Sequence, residues 1–474
     1  AASAGAAPAT AEDITAADFR ARIGILAHDS MRGRDTPSPE LVETARYVAS
    51  EFEAAGLEPG LGVDGFLQRF PLTLVRPGVD ADQVLQLSGP DGVIRIQGGD
   101  GLLAVPTSGE AEARASLTAW RPRAGSANPG DGILAVRVDQ NGIGGAFQRV
   151  RDALEGSDAS GAILVVDAPS EFFQGIRGFF SGGQVSLGEP DALDEPMVMV
   201  HASSLPDVLV DALRGGESLP SGWTARLRTG ADVRDAEGMN TIGWLPGSDP
   251  ELRNEYVIFT AHMDHVGVGE PVDGDSIYNG ADDDASGTAA IMEVAEAFAA
   301  RERAPRRSLV FMTVSGEEKG LLGSEWYSEH PVFPLESTVA NINLDMVGRN
   351  WPDTVVAIGK EHSSLGPLVE QVAADHPDLG LTVIDDLWPE ENFYFRSDHY
   401  NFARKGVPVL FFFSGVHEDY HQPSDEVDRI RYGKTARVAR LVYHLGEAIA
   451  DAEEPPSWDP ESYERVVEDP VRRP

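Results

Sequence analysis

The sequence predicts an α/β protein with a mixed, mostly parallel central sheet, helices on both faces and a β-rich inserted domain. From residue 240 onward, buried-strand patterns alternate with amphipathic helical patterns, which is typical of a parallel sheet covered by helices. Residues 77–221 instead contain short apolar runs separated by turns rich in Gly, Pro and Ser. The chain of 474 residues exceeds the usual size of one domain, and its 42% hydrophobic content can form a packed core.

The first part of the main domain is predicted over residues 12–76. Apolar residues at helical spacing indicate a helix over residues 15–27. A second helix is predicted to begin near Pro39, because proline suits the first helical turn, and to end at Gly56. A strand is predicted over residues 66–74, immediately before the inserted domain.

The inserted domain is predicted over residues 77–221. The main domain then resumes over residues 222–452, and residues 453–474, rich in Pro, Glu and Asp, form a C-terminal tail. The predicted strands of the insertion are residues 93–96, 133–138, 162–166 and 196–200, with a helix over 146–154. The predicted strands of the resumed main domain are 240–245, 256–260, 309–314, 339–344, 354–358 and 407–413, and its helices are 286–300, 365–374 and 435–450.

Composition excludes several classes of function. Acidic residues outnumber basic residues by 77 to 38, and the net charge of −39 argues against binding to nucleic acid or to anionic membranes. The chain has no cysteine, so disulfides, thiolate nucleophiles and cysteine-ligated metals are excluded. No apolar run approaches the ~20 residues of a membrane span, so membrane insertion is not expected. The small, uncharged residues 1–8 fit the mature end left by a signal peptidase, which predicts a secreted or periplasmic protein.

Acidic and imidazole side chains follow four of the predicted strands of the main domain. Ligands of open α/β sheets bind beyond the carboxyl ends of the strands, so these side chains are expected to converge at one sheet edge. Asp264 follows the first histidine by two residues and is expected to orient its imidazole. The residues after the strands are His262, Asp264, Glu317, Glu318, Asp345, His417, Tyr420 and His421.

Three adjacent aspartates, Asp282, Asp283 and Asp284, precede the helix predicted over residues 286–300. One aspartate is enough to cap a helix, and three repel one another unless a cation neutralises them. Donors of this kind suit zinc, with cobalt or manganese as substitutes. Five ligands with one shared carboxylate suit two metal ions about 3.5–4 Å apart, a centre that supports hydrolysis.

The order and separation of these motifs resemble those of the family-28 zinc metallopeptidases, over about residues 240–430. That family includes secreted bacterial aminopeptidases and the glutamate carboxypeptidase and transferrin-receptor relatives. The N-terminal run from Leu26 to Arg34 also resembles bacterial members. The motifs that carry the resemblance are His262-Met-Asp264, Gly-Ala-Asp-Asp283-Asp-Ala-Ser-Gly, Glu317-Glu318, Leu-Asp345-Met and Tyr420-His421.

The resemblance implies a role for each matched residue. Asp283 matches a carboxylate that bridges two zinc ions and is followed by a cis peptide bond. Glu317 matches the general base, and Asp264 the carboxylate behind the first histidine. Tyr394 and Tyr420 each match a tyrosine that stabilises the tetrahedral intermediate in some relatives, and we slightly favour Tyr394. The implied metal ligands are His262, Asp283, Glu318, Asp345 and His421.

Neighbouring residues receive supporting roles. Ser397 is expected to support the site, while Asp282 and Asp284 fix their loop. The histidines close in sequence to the site could lie at its rim; these are His265, His399 and His417.

The predicted function is that of an aminopeptidase that acts on peptides through a hydroxide bridging two zinc ions. A carboxypeptidase is an alternative, because Arg349 or Arg396 could bind a terminal carboxylate. A dipeptidase or deacylase of the same two-metal class is a second alternative, although its extra domain tends to follow the paired glutamates. A catalytically inactive, receptor-like relative is a third alternative. The insertion loosely resembles a protease-associated domain and is expected to restrict substrate size.

Overall fold

The computed structural model describes residues 11–471 apart from 79, 91, 100, 123–128, 182 and 191–192. The residues divide into two compact units. Unit 1 comprises the described residues up to Phe70 together with those from Glu237 onward, and unit 2 comprises Pro71–Ala236. The residues 1–8 on which the expectation of export rests lie outside the described part of the chain.

The regular elements are numbered in chain order. Within the described residues the α-helices are α1 (Ala16–Leu26), α2 (Pro39–Ala55), α3 (Ile143–Glu155), α4 (Ser170–Ser181), α5 (Asp207–Gly215), α6 (Ala285–Ala299), α7 (Leu322–Glu329), α8 (Leu365–Asp375), α9 (His399–Ala403), α10 (Tyr432–Asp451) and α11 (Pro460–Val466). The strands there are β1 (Glu58–Pro59), β2 (Leu67–Pro77), β3 (Val84–Gly89), β4 (Gly92–Gln97), β5 (Leu102–Ala104), β6 (Ala111–Ala119), β7 (Gly132–Val138), β8 (Ala159–Val166), β9 (Gln184–Leu187), β10 (Met197–His201), β11 (Thr224–Thr229), β12 (Ala231–Leu245), β13 (Tyr256–His262), β14 (Gly267–Val272), β15 (Asp275–Tyr278), β16 (Ser308–Val314), β17 (Thr338–Leu344), β18 (Thr354–Ile358), β19 (Thr382–Ile384) and β20 (Val409–Phe413).

The sheet of unit 1 is mixed and mostly parallel, as the sequence predicts. Its strand order is β19-β18-β20-β17-β13-β16-β12. The four strands β20, β17, β13 and β16 run parallel to one another, whereas β12 pairs antiparallel with β16 and β18 antiparallel with β20. The carboxyl ends of the four parallel strands therefore lie together at one edge.

Helices cover both faces of this sheet because successive strand residues point to opposite sides. On β13, Val257 and Phe259 join a core that also contains Phe298 of α6, whereas Ile258 joins a second core with Tyr327 of α7. The first core also includes residues of α1, α2, α8 and α10, and the second includes residues of α9. Packing of helices on both faces of the sheet holds the strands in place, and with them the strand ends that carry the polar side chains described below.

The ends of the early helices follow local rules that the sequence already signals. Ser38 caps α2, and its hydroxyl accepts a hydrogen bond from the backbone N–H of Leu41 at 3.0 Å. Gly56 ends that helix in the left-handed conformation, with φ of 85°. Asp284 caps α6 and accepts from the N–H of Gly287 at 2.8 Å. The triple-aspartate segment thus lies directly before the first turn of α6.

Unit 2 contains its own eight-stranded sheet, with the order β4-β3-β11-β6-β7-β8-β10-β5. Strands β6, β7, β8 and β10 are parallel, and α3 lies between β7 and β8 in the chain. The unit spans residues 71–236, whereas the sequence predicts the insertion over residues 77–221. The unit extends past residue 221 because it includes strand β11 and the start of β12. Its assignment as a protease-associated domain stays a prediction.

The segment predicted as a C-terminal tail is part of unit 1 and packs into its second core. It forms α11, whose Val466 is buried in the second core. The indole N–H of Trp458 donates to the carbonyl oxygen of Gly406 at 3.0 Å, and Lys405 pairs with Asp469 at 2.7 Å. In the described part of the chain, no helix combines the length and apolar composition needed to span a membrane.

Candidate active site

Four neighbouring strands bring the predicted site residues together. His262 is the last residue of β13, Glu317 and Glu318 follow β16, Asp345 follows β17, and His421 lies in the segment after β20. Because these strands are parallel neighbours, their side chains meet at one sheet edge. The five residues implied as metal ligands therefore lie in one cluster, to which the loop before α6 contributes Asp283.

Asp283 lies between two groups of donor atoms. Its Oδ1 is 3.3 Å from Nε2 of His262, which is itself 3.5 Å from Oδ1 of Asp345. Its Oδ2 is 3.2 Å from Nε2 of His421, which is 3.0 Å from Oε2 of Glu318. One carboxylate therefore faces both groups, with one oxygen toward each.

The donor set fits divalent cations. Three carboxylates, Asp283, Glu318 and Asp345, lie within one buried cluster, where their mutual repulsion is large unless positive charge is nearby. The buried Oε1 of Glu318 has no hydrogen-bond partner among the described residues. Imidazole nitrogens and carboxylate oxygens in this arrangement are donors that zinc accepts.

The ionisation of the cluster suits metal binding. Burial tends to raise the pKa of Asp283, but the charges and hydrogen bonds of His265, His262 and His421 outweigh it and hold that pKa well below its usual value. Burial and the nearby Asp283 also oppose ionisation of Glu318, yet the same pair of histidines, His265 and His421, lowers its pKa to about 2. Both carboxylates are therefore charged at neutral pH.

Glu317 differs from its neighbour Glu318. Burial is the largest cause that raises the pKa of Glu317 well above its usual value, and the charge of Glu318 adds to it against the opposing effect of His262. The side chain lines a cavity together with Asp283, Asp345 and His421. Glu317 therefore lies at the cavity as a carboxyl group that holds its proton more readily than usual, and it is not one of the implied ligands.

Neighbouring groups hold the donors in place. The hydroxyl of Ser397 donates to Oδ2 of Asp345 at 2.8 Å and accepts from Asn343 at 2.9 Å. Oδ2 of Asp425 accepts from the backbone N–H groups of Asp282 at 3.0 Å and Asp283 at 3.1 Å. The peptide bond between Asp283 and Asp284 is cis, as the resemblance implies.

The two outer aspartates of the triplet fix their loop. Oδ1 of Asp282 accepts from the N–H of Gly348 at 2.6 Å, and its Oδ2 lies 3.2 Å from Nε2 of His417. Asp284 accepts from Met346 as well as from its own helix, and burial raises its pKa well above the usual value. Asp284 also lies with His262 and Asp345 in a group whose donor atoms are all within 4.8 Å of one another.

Asp264 supports the site in a different way from that predicted. Nδ1 of His262 lies 3.1 Å from the backbone carbonyl oxygen of Asp264, whereas the carboxylate is 3.9 Å away. That carboxylate accepts from the Thr36 hydroxyl at 3.0 Å and from the Glu317 N–H at 3.3 Å. The backbone carbonyl is therefore the hydrogen-bonding partner of the imidazole, and the carboxylate positions the Glu317 segment.

The structure separates the two candidate tyrosines. Tyr420 lines the cavity, and its ring stacks on that of His421 with centroids 3.9 Å apart. Tyr394 is buried in the second core, with its ring 4.5 Å from that of His362, and its hydroxyl has no hydrogen-bond partner in the described part of the chain. His399 packs beside it as a core residue, and burial lowers its pKa to about 3. This placement reverses the slight preference for Tyr394.

Arg34 is a positioning residue whose role the sequence does not reveal. Its fully buried guanidinium donates to the carbonyl oxygens of Met263 at 2.9 Å, Asn279 at 2.7 Å and Gly280 at 3.0 Å, and also to that of Leu26. It thus ties the loop after His262 to the loop before Asp283. The sequence feature that could have pointed to Arg34 is its position in the run from Leu26 to Arg34, which resembles bacterial relatives.

Replacing Arg34 by Met is expected to lower the free energy of unfolding by about 3 kcal/mol or more, because several buried carbonyl groups lose a charged donor. Urea unfolding followed by tryptophan fluorescence measures this change. Arg32→Met is the matched control, because the Arg32 side chain is 56% exposed. We expect that control to change stability by less than about 0.5 kcal/mol, and equal losses in the two variants would contradict the role of Arg34.

The sequence of the sheet segment matches a known family. Residues 240–446 match the sequence model of Peptidase family M28. These residues therefore carry the sequence pattern of that family. Leupeptin-inactivating enzyme 1 of Streptomyces exfoliatus is 30% identical to this chain over 210 residues, which cover 44% of the chain and 42% of that enzyme. The chain thus spans less than half the length of that relative.

Further relatives extend beyond the M28 segment. A probable leucine aminopeptidase of Arthroderma benhamiae is 26% identical over 276 residues, which cover 53% of this chain and 71% of that protein. The aminopeptidase from Aneurinibacillus sp. strain AM-1 is similar in structure, with a TM-score of 0.62, 20% identity and coverage of 98% of this chain and 99% of that one. BSAP, a zinc aminopeptidase from Bacillus subtilis, gives a TM-score of 0.56 at 18% identity, with coverage of 93% and 97%. These structures share the fold of this chain.

Proposed function

We propose that this chain is a metal-dependent aminopeptidase that uses a two-metal centre. The observation that carries the proposal is the Asp283 carboxylate, which faces His262 with one oxygen and His421 with the other. One ion would be held by His262, Asp283 and Asp345, and the other by Asp283, Glu318 and His421. The zinc aminopeptidases of similar fold support zinc as the metal.

The bound cations would polarise the scissile carbonyl group and make a water molecule more acidic. Glu317 accepts a proton from the attacking water and returns it to the leaving amine. Its pKa is raised above the usual value, which favours acceptance of the proton by the carboxylate. The hydrogen bond from its N–H to Asp264 holds the start of this segment against the sheet edge.

Tyr420 is the residue proposed to donate a hydrogen bond to the oxyanion, because it lines the cavity beside Glu317. Burial, together with the charges of Asp283 and Glu318, raises the pKa of its hydroxyl, so the group keeps its proton. A protonated phenol beside the reacting carbonyl is a suitable donor to an oxygen that gains negative charge.

The lining of the cavity favours a substrate with a free amino group. Its carboxylates would attract an ammonium group at the amino terminus; they are Asp283, Glu317, Glu318 and Asp345. Apolar residues form the remaining wall and suit an apolar side chain. These residues are Met346, Phe393, Phe411, Phe413 and Val416.

A carboxypeptidase is the second candidate because Arg396 also lines the cavity. Its guanidinium lies 4.8 Å from the centre of the Phe393 ring and is about half exposed, so it could bind a substrate carboxylate. Arg349 is less suitable, because it is committed to Asp419 at 2.6 Å. One arginine at the rim, against four carboxylates in the cavity, supports the aminopeptidase.

A substrate panel tests the proposal. We expect cleavage of aminoacyl amides with a free amino group and little cleavage of their N-acetylated counterparts. Treatment with a chelator should abolish cleavage of the free aminoacyl amides. Equal cleavage of free and acetylated substrates would rule out an aminopeptidase. Cleavage of N-blocked dipeptides that falls in an Arg396→Gln variant would support the carboxypeptidase instead.

Replacing Tyr420 by Phe is expected to lower kcat by about 10²–10³-fold with little change in KM, because the hydroxyl would act only in the transition state. Steady-state kinetics on a leucyl amide measures both constants. Tyr394→Phe is the matched control, since the Tyr394 hydroxyl has no hydrogen-bond partner among the described residues. A larger loss in Tyr394→Phe than in Tyr420→Phe would restore the original preference for Tyr394.

A further inference from the structure

His265 is a buried histidine at the metal cluster that the proposed ligand set does not use. It follows β13, and its side chain is fully buried. Nδ1 lies 2.7 Å from Oε1 of Glu318 and 3.7 Å from Oδ2 of Asp283. Neither ring nitrogen has a hydrogen-bond partner among the described residues, although buried histidines ordinarily have one.

Nδ1 of His265 and Oε1 of Glu318 form a close ion pair. Oε1 of Glu318 is also buried, and neither atom makes a well-directed hydrogen bond in the described part of the chain. An imidazole nitrogen and a carboxylate oxygen side by side are donor types that one zinc ion accepts. The second oxygen of Glu318 already faces His421 at 3.0 Å, so the carboxylate lies between two imidazoles.

The imidazole is held in this position by its surroundings. Its ring lies edge-to-face with that of His421, with centroids 5.6 Å apart. Gly280 lies against the other side in the left-handed conformation, with φ of +56°. A Cβ atom at residue 280 would come within 2.5 Å of Cδ2 and Cγ of His265. The glycine therefore leaves the space that the imidazole occupies.

We propose that His265 is a fourth protein ligand of the metal ion next to Glu318. This proposal rests on the proposed function, because it concerns one position of the same two-metal centre. Nδ1 of His265 lies with donor atoms of Asp283, Glu318 and His421 in a group whose members are all within 4.8 Å of one another. The other group contains a single imidazole, that of His262.

The extra ligand makes the two metal positions unequal. Zinc prefers four ligands, and sites with four protein ligands are closed, whereas sites with three keep a place for water or substrate. The position next to Glu318 is therefore expected to bind its ion first and more tightly. The position next to His262 and Asp345 is the one left open to substrate.

The test is titration of the metal-free protein with Co²⁺, followed by visible absorption and by proton NMR of the paramagnetically shifted imidazole signals. We expect the wild-type protein to bind two ions, the first at least tenfold more tightly. His265→Ala should weaken the first ion by about 10–100-fold or more, since even changes around metal ligands cost that much. It should also remove one shifted imidazole N–H signal from the protein with one equivalent of Co²⁺.

Two further variants complete the test. His265→Asn keeps an oxygen or nitrogen near the place of Nδ1, so its affinity for the first Co²⁺ ion should lie between those of the wild type and the Ala variant. If the Ala variant does not fold, the Asn variant provides the test. His330→Ala is the control, because this histidine stacks on Trp326 away from the cluster. Unchanged affinity, spectrum and imidazole signals in both His265 variants would overturn this proposal alone. A wild-type protein that binds no Co²⁺ would overturn the proposed function as well.

Discussion

We expect Glu317→Gln to lower kcat by about 10²–10⁴-fold, because the amide can neither accept nor return the proton of the attacking water. KM and the metal content should change little, since Glu317 is not among the proposed ligands. Steady-state kinetics on a leucyl amide and elemental analysis of the dialysed protein measure the two effects. A loss in kcat with unchanged KM would indicate that the variant impairs proton transfer and leaves substrate binding intact.

The control for this variant lies in the segment that carries His421. Glu418 is exposed and three residues before that histidine, so Glu418→Gln removes a similar charge without touching the cavity. We expect its kcat to stay within about twofold of the wild type, as for other surface changes. Activity of Glu317→Gln within tenfold of the wild type would contradict the general-base role.

Asp283→Asn is expected to abolish activity and to reduce metal content from two ions per chain to fewer than one. The carboxylate faces both groups of donors, so its loss affects both positions at once. Changes to groups that merely orient ligands cost about 10–100-fold in affinity, and loss of a shared ligand is expected to exceed that range. Elemental analysis after dialysis, together with activity at rising zinc concentration, measures the effect.

Asp273→Asn is the matched control for that variant. Asp273 is exposed between β14 and β15, and its positive φ of 54° is one that asparagine tolerates well. Its metal content and activity should equal those of the wild type. Two tightly bound ions in Asp283→Asn would contradict a shared carboxylate and favour two independent sites.

The sequence predicted the sheet and the cluster because both depend on local patterns. Apolar runs marked the strands, and residues such as His262 and Asp345 follow those runs directly. In a parallel sheet, that proximity to the strand ends is enough to bring the side chains to one edge. The order of motifs then identified the family, which the match over residues 240–446 confirms. The roles assigned to the individual site residues stay predictions.

Other parts of the site depend on contacts that no local pattern specifies. The preference between Tyr394 and Tyr420 turned on which ring the packing of the second core buries. The carboxylate of Asp264 lies closest to Thr36 and Glu317, which are far from it in the sequence. Asp425 holds the backbone of Asp283 from 142 positions away in the chain. Such pairings become visible only when the folded backbone brings the segments together.

The N-terminal residues have a consequence for any attempt to isolate the peptidase. Arg34 ties the loop after His262 to the loop before Asp283. The Thr36 hydroxyl donates to Asp264 and accepts from the backbone N–H of Gly316. Helices α1 and α2 also cover one face of the core. A fragment limited to the family-matching residues 240–446 would therefore expose that face and lose these contacts. We expect such a fragment to aggregate on expression, whereas co-expression with residues 11–70 as a separate chain should restore a soluble complex.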